Sequence, residues 1–180
     1  NASVGTSQLA DNGITTAKIS NDAVTKDKLL SHNYPAFEAI LGSNQSITSN
    51  ANTKVTCDTE IFDTDNCYDN STNYRFTPNV AGKYVVYCAG RGDAGGSNLQ
   101  NMWVRLEMNS TGNALTYQYC NFAPNNLDNF TLNALGTLSF NGSSDYVEFF
   151  CRISDSSGNP SIIGDSSERR TFFGAYRIGD

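Results

Sequence analysis

The sequence predicts an all-β protein, an antiparallel sandwich over residues 34–180 behind a short repeat in residues 1–33. From Tyr34 onward, strand-length runs rich in aromatic and β-branched residues alternate apolar and polar positions. Compact turn signals, Asn79-Val-Ala-Gly82, Asn109-Ser-Thr-Gly112 and Asn141-Gly-Ser-Ser144, separate several of them, which suits hairpins better than helical crossovers. No stretch after Tyr34 keeps a helical period. At 180 residues and 19.5 kDa, the chain fits one domain of ordinary size plus the extension.

The first element is the repeat. Ile14-Thr-Thr-Ala-Lys-Ile19 is echoed by Val24-Thr-Lys-Asp-Lys-Leu29, and Val4-Gly-Thr-Ser-Gln-Leu9 is a fainter copy in the same register. Apolar residues about five apart stay on one face of neither a helix nor a strand. Turn-prone Asp11-Asn12-Gly13 and Asn21-Asp22-Ala23 divide the copies into short extended or single-turn pieces. So few apolar side chains cannot offset about 1–2 kcal/mol per residue of backbone ordering, so one chain alone leaves this segment disordered. Parallel copies wound about one axis would bring Val4, Leu9, Ile14, Ile19, Val24 and Leu29 together level by level. A linker with accidental similarity is the competing reading.

The next elements are strands. Tyr84–Ala89, Met102–Met108, Leu115–Phe122, Leu132–Phe140, Tyr146–Ile153 and Phe172–Ile178 each have strand length, with Tyr84, Phe149 and Phe172 as candidate core aromatics. Cys88, Cys120 and Cys151 sit among alternating apolar residues and read as small buried hydrophobes. Cys57 and Cys67 have the spacing of a local disulfide, and an odd count of five cysteines leaves at least one free thiol. Asn1, Asn44, Asn70, Asn109, Asn129 and Asn141 head glycosylation sequons, a number close to chance in a chain so rich in Asn, Ser and Thr.

These residues carry a resemblance. The segment FDTDNCYDNSTNYRFTPNVAGKYVVYCAG (Phe62 to Gly90) resembles the central signature of the C1q/tumour-necrosis-factor superfamily. There an Asp-rich turn precedes a Phe-Thr strand, then Pro, then Gly-x-Tyr. TFFGAYRI near the C-terminus is similar to the closing strand of that family, and Phe130–Phe140, Asn141-Gly142 and Asp145–Phe150 follow its strand-turn-strand order. The resemblance spans 34–180 and implies a C1q/TNF-like jelly-roll sandwich of about ten strands that assembles as a homotrimer. The collagen-like triplets of secreted C1q-type proteins are missing. The 1–33 repeat resembles instead the stalks of bacteriophage tail fibres and other virion appendages.

Charge and inventory exclude several functions. A net charge of −6 with only 12 Lys and Arg lacks the basic footprint of a nucleic-acid partner. No apolar run is long enough for membrane insertion as a helix, and the first residue, Asn1, points to a fragment or a processed product. The one histidine, His32, precedes the sandwich, so no Ser-His-Asp or Cys-His constellation is available within it and no catalytic residue is assigned. Asp63, Asp65 and Asp69 offer oxygen ligands as a calcium loop would, yet they lack the Gly and distal Glu of an EF-hand loop and read first as solvated turn residues; no cofactor is expected, with calcium at these three residues as the weaker alternative. Arg91-Gly92-Asp93 spells an adhesion tripeptide, but it reads as part of a polar, Gly-rich loop.

Loop lengths give the binding hypothesis. With strands at 74–89, 101–109, 114–122, 130–140, 145–153 and 171–178, the long connections 90–100, 123–129 and 154–170 share one end. The family pattern puts that end away from both termini. Long loops on a rigid scaffold are where binding resides. The candidate receptor-binding residues are Arg91, Asp93 and Asn98, then Asn125, Asn126 and Asp128, then Asn159, Asp165 and Arg169. Their polarity suits a glycan or a surface protein. The expected function is a trimeric phage tail-fibre tip on the virion surface, joined to other virion proteins by the stalk and attaching to a host cell. A secreted C1q-like recognition protein and a purely structural virion decoration domain are the alternatives.

Overall fold

The computed structural model describes Thr15, Ile19 and residues 34–112, 114–122, 127–156 and 158–180. The chain divides into two units, Asn1–Asn33 and Tyr34–Asp180. The repeat, those two residues apart, and His32 lie outside the described residues.

Thirteen strands and no helix occur among the described residues. They are β1 (Ala36–Ile40), β2 (Gln45–Ser46), β3 (Thr53–Lys54), β4 (Thr59–Asp63), β5 (Tyr68–Asp69), β6 (Arg75–Phe76) and β7 (Ala81–Asp93). β8 (Leu99–Met108), β9 (Ala114–Asn121), β10 (Asn129–Asn141), β11 (Val147–Asp155), β12 (Ser161–Ile162) and β13 (Phe172–Gly179) complete the set. The expected ten or so become thirteen because five pieces are only two residues long.

One sheet runs β4-β1-β13-β7-β10, with β12 and β2 continuing the lanes of β13 and β1 beyond Gly90. The other runs β6-β11-β8-β9, with β3 beside β6 on β11 and β5 on the outer side of β6. All pairings are antiparallel. Alternate residues of the two sheets meet in an aromatic centre where Phe37 stacks on Tyr68 at 4.4 Å and on Phe76 at 4.6 Å, with Phe173 edge-on at 5.0 Å. Tyr84 and Phe149 are fully buried there, as expected.

Two expectations need correction, and the pairing of Cys57 with Cys67, left open by the sequence, is answered. Phe172 is only partly buried and pairs with Ala89 on the outer face, while its neighbour Phe173 is the core residue at 0% exposure. A shift of one position flips a strand residue to the other face. Cys57 and Cys67 are free thiols, as are the other three. Burial pushes the thiols of Cys57 and Cys88 well up and that of Cys151 up to about 12, which suits buried hydrophobes. Finally, the strand expected from Tyr74 breaks after Phe76, where Pro78 has no N–H for a ladder, and β7 then runs four residues past Ala89.

β7 runs on because its glycines fit a tight interior. A Cβ on Gly90 would lie 3.0 Å from Val104 Cγ1, and one on Gly92 would lie 2.7 Å from Met102 Sδ. Glycine here lets the opposite sheet approach.

Candidate functional site

The registers fix which loops share an end. Ile40, Asp93, Leu99, Asn121, Asn129, Asp155 and Phe172 terminate or begin their strands at one end of the sandwich, and both Tyr34 and Asp180 lie at the other. Among the described residues, 94–98, 122, 127–128, 156, 158–160 and 163–171 therefore belong to the far end, whereas 109–112 and 142–146 lie beside the termini.

Arg91 and Asp93 are not loop residues. They lie inside β7, with Arg91 opposite Thr131 and Asp93 between Asn129 and Ser161. Arg91 donates through Nη2 to Asn129 Oδ1 at 3.0 Å, and its amide donates to Thr171 Oγ1 at 3.1 Å. Asp93 Oδ1 accepts the Gly95 amide at 2.6 Å, turning the chain out of the strand. The adhesion-type tripeptide is thus a paired strand segment.

The short loop 94–98 is tied to both neighbours. The amide of Ala94 donates to the Asp128 carbonyl at 2.8 Å, and that of Gly96 reaches Asp128 Oδ1 at 3.4 Å. Asn98 exchanges bonds with Ser156, its amide donating to Oγ at 3.2 Å and its carbonyl accepting from the Ser156 amide at 3.0 Å. Gly95 has a positive φ of 60°, and a Cβ there would come within 3.1 Å of the Asn159 carbonyl oxygen. Asp93, Asn98, Asp128 and Asn159 are therefore brought together. Asn125 and Asn126 lie outside the described residues.

Asp155 fastens this end, and the sequence reading did not single it out. Only 7% exposed, it accepts the Gly158 amide at 2.9 Å, the Asn159 amide at 3.3 Å and the Ser97 hydroxyl at 3.2 Å. A buried carboxylate is stable only with such donors. Its signal was an Asp three residues before Gly158, the pattern of a side-chain-capped turn. Beside it opens a polar pocket of about 290 Å³ lined by Ser46, Ile47, Thr48, Gly158, Asn159 and Pro160. Ser46 and Thr48 come from the N-terminal part of the sandwich, which carried no loop-length signal.

Asp165 and Arg169 do not join the cluster. Asp165 sits beside Leu41, whose carbonyl accepts its amide at 2.8 Å. The hydroxyl and then the amide of Ser167 hold its carboxyl below the usual range. Arg169 pairs with Glu38, in the middle of β1 on the outer face of the first sheet. Asp63 accepts the amides of Asp65 and Tyr68, at 3.3 and 2.7 Å. Asp69 accepts the amides of Thr72, Ser71 and Asn73 at 2.9, 3.1 and 3.1 Å, which draws its carboxyl well below the usual range. Among the described residues no group of three or more His, Cys, Asp or Glu could hold a metal ion.

No family model and no curated protein matches the chain. Among solved structures, murine APRIL at pH 5.0 is similar with a TM-score of 0.58 at 10% identity, covering 81% of this chain and all 100% of that one. The globular domain of zebrafish complement 1qA protein matches at 0.48 and 13% identity, over 79% of this chain and 93% of that one. An Eiger TNF from S. frugiperda matches at 0.49 and 10%, over 82% and 92%. Element order, two antiparallel sheets and the APRIL likeness make this fold a C1q/TNF-like jelly roll.

Proposed function

We propose that this chain is a non-enzymatic, homotrimeric recognition module of the C1q-like kind whose distal end engages a glycan or protein on a cell surface. The observation that carries the reading is the polar distal end, where Asp155 fastens two loops around the Ser46–Pro160 pocket on a rigid sandwich. Concave, polar and held by charge-assisted bonds, it suits a hydroxyl-rich ligand. Trimer formation has separate support in the exposed apolar side chains on the outer face of the first sheet. One row across its five strands reads Phe62, Glu38, Gly174, Tyr87, Leu135, and Leu135 is 67% exposed. Tyr176 and Ile178 extend the patch at 46% and 51%. Such a patch marks an association surface.

A second reading, the tip of a phage tail fibre on a virion, is favoured by the Val4–Leu29 repeat, which reads as a stalk joining other virion proteins. Detection of N-glycans on the native protein by mass spectrometry would decide for the secreted form and against the virion form. The recognition reading itself is tested with Asn98→Ala/Asp128→Ala/Asn159→Ala. Cell-surface binding should fall at least tenfold while trimer mass and melting stay at parent values. Unchanged binding by that variant would move recognition away from the distal end.

A further inference from the structure

The outer face of the second sheet carries a different surface. In register across β11, β8 and β9, Arg152 stands opposite Trp103 and Trp103 opposite Tyr119. The adjacent row is Phe150, Arg105, Tyr117. The intervening residues, Met102, Val104, Leu106, Phe149 and Cys151, fill the core, so these two rows face outward. Trp103 is the only tryptophan of the chain and is 4% exposed. Arg105 covers it at 4.5 Å, and Tyr117 flanks it at 5.8 Å. Tyr117 and Tyr119 are 45% and 50% exposed, with ring planes within 6° and centroids 6.3 Å apart.

Charge is unevenly compensated along these rows. Glu107 neutralises Arg105, and Glu148 neutralises Lys54 at the edge. Arg152 is held by Asn50, whose Oδ1 accepts from Nε at 2.8 Å and also from Nη2, and among the described residues no carboxylate forms an ion pair with it. An oriented guanidinium without a counter-charge thus lies in the same row as Trp103 and Tyr119.

We propose that this strip binds an acidic polysaccharide, a chain of uronic-acid-type sugars. Parallel, half-exposed phenol faces suit the C–H faces of pyranose rings, and tyrosine hydroxyls at their rims suit sugar hydroxyls. With Asn50 on its Nε side, Arg152 can still offer a carboxylate two N–H groups from its Nη1/Nη2 edge. The rows contain no aliphatic side chain, which separates the strip from the mixed aliphatic and aromatic patch on the first sheet. At a net charge of −6 the chain repels polyanions in general, so binding of one requires a local site. Trimer formation would present the strip three times to a repeating polymer. The site is separate from the distal end.

The test uses the full chain with immobilised polygalacturonate and, as the neutral control, dextran. The parent should bind polygalacturonate and ignore dextran, and binding should weaken with added salt. Soluble polygalacturonate should shift or quench Trp103 fluorescence, a signal from within the strip. Tyr117→Ala/Tyr119→Ala and, separately, Arg152→Gln should each lose at least tenfold in affinity at unchanged melting temperature. If the double variant misfolds, Arg152→Gln and the Trp103 signal decide. The distal triple variant should bind polygalacturonate like the parent, which separates this site from the recognition end. A parent that ignores both polymers, as a protein-docking face would, overturns the proposal. Equal binding of both polymers, or parent-like affinity in Arg152→Gln, overturns it as well.

Discussion

Phe172 and Phe173 occupy adjacent positions of β13 and opposite environments. Phe173 packs against Phe37, Tyr68 and Phe149 in the core, whereas Phe172 contacts Tyr87 at 6.1 Å on the outer face. Phe173→Ala should therefore cost about 3–5 kcal/mol in urea unfolding, as large core truncations do. Phe172→Ala should keep most of that stability and instead weaken self-association, read by light scattering. A Phe172→Ala protein that unfolds as easily as Phe173→Ala would return Phe172 to the core. The sequence could not decide between them, because Phe-Phe-Gly-Ala-Tyr carries apolar residues at both parities of a period of two. Asp155 was hidden for a related reason. A carboxylate in a Ser- and Gly-rich stretch reads as solvated until burial and three donors are seen.

The turn between β5 and β6 shows how far an element can be read locally. Its Asp-rich composition marked a turn, and the structure adds that Asp69 caps it through three amides. The Thr72 amide, first among these, lowers the folded carboxyl pKa. A lowered pKa gives stability that is complete above the unfolded value of about 4 and is lost as pH falls through the folded value. Asp69→Asn should thus melt below the parent at about pH 7, with the gap narrowing steadily between about pH 4 and pH 2. A gap independent of pH would show that the charge of Asp69 contributes nothing to this turn. The end of β7 was less legible. Gly90 and Gly92 look like loop punctuation in one dimension, and only the proximity of Val104 and Met102 from the other sheet explains glycine inside a strand.

For the whole molecule, the outer face of the first sheet makes the sharpest expectation. Light scattering should report three times 19.5 kDa, and Leu135→Lys with Tyr176→Lys should give a monomer of near-parent secondary structure. Parent-like trimer mass in that double variant would place the association surface elsewhere. Strand content, the order of the long strands and the end at which their connections emerge were all legible in the sequence. They follow from alternation, turn residues and chain order, which are local or nearly local properties. The distal cluster was legible only in part. Asp93, Asn98, Asp128 and Asn159 lie on a strand end and loops that are tied to one another, but Arg91 is held in β7 and Arg169 turns to Glu38. Which neighbour a polar side chain finds depends on strands far away in sequence, such as Glu38 for Arg169, separated by 131 positions. The sequence by itself thus determined an antiparallel sandwich with its long connections at one end. Tertiary structure alone decided strand parity, the tie at Asp155 and the alignment of Arg152, Trp103 and Tyr119, because cross-strand register and burial are set by packing between distant segments.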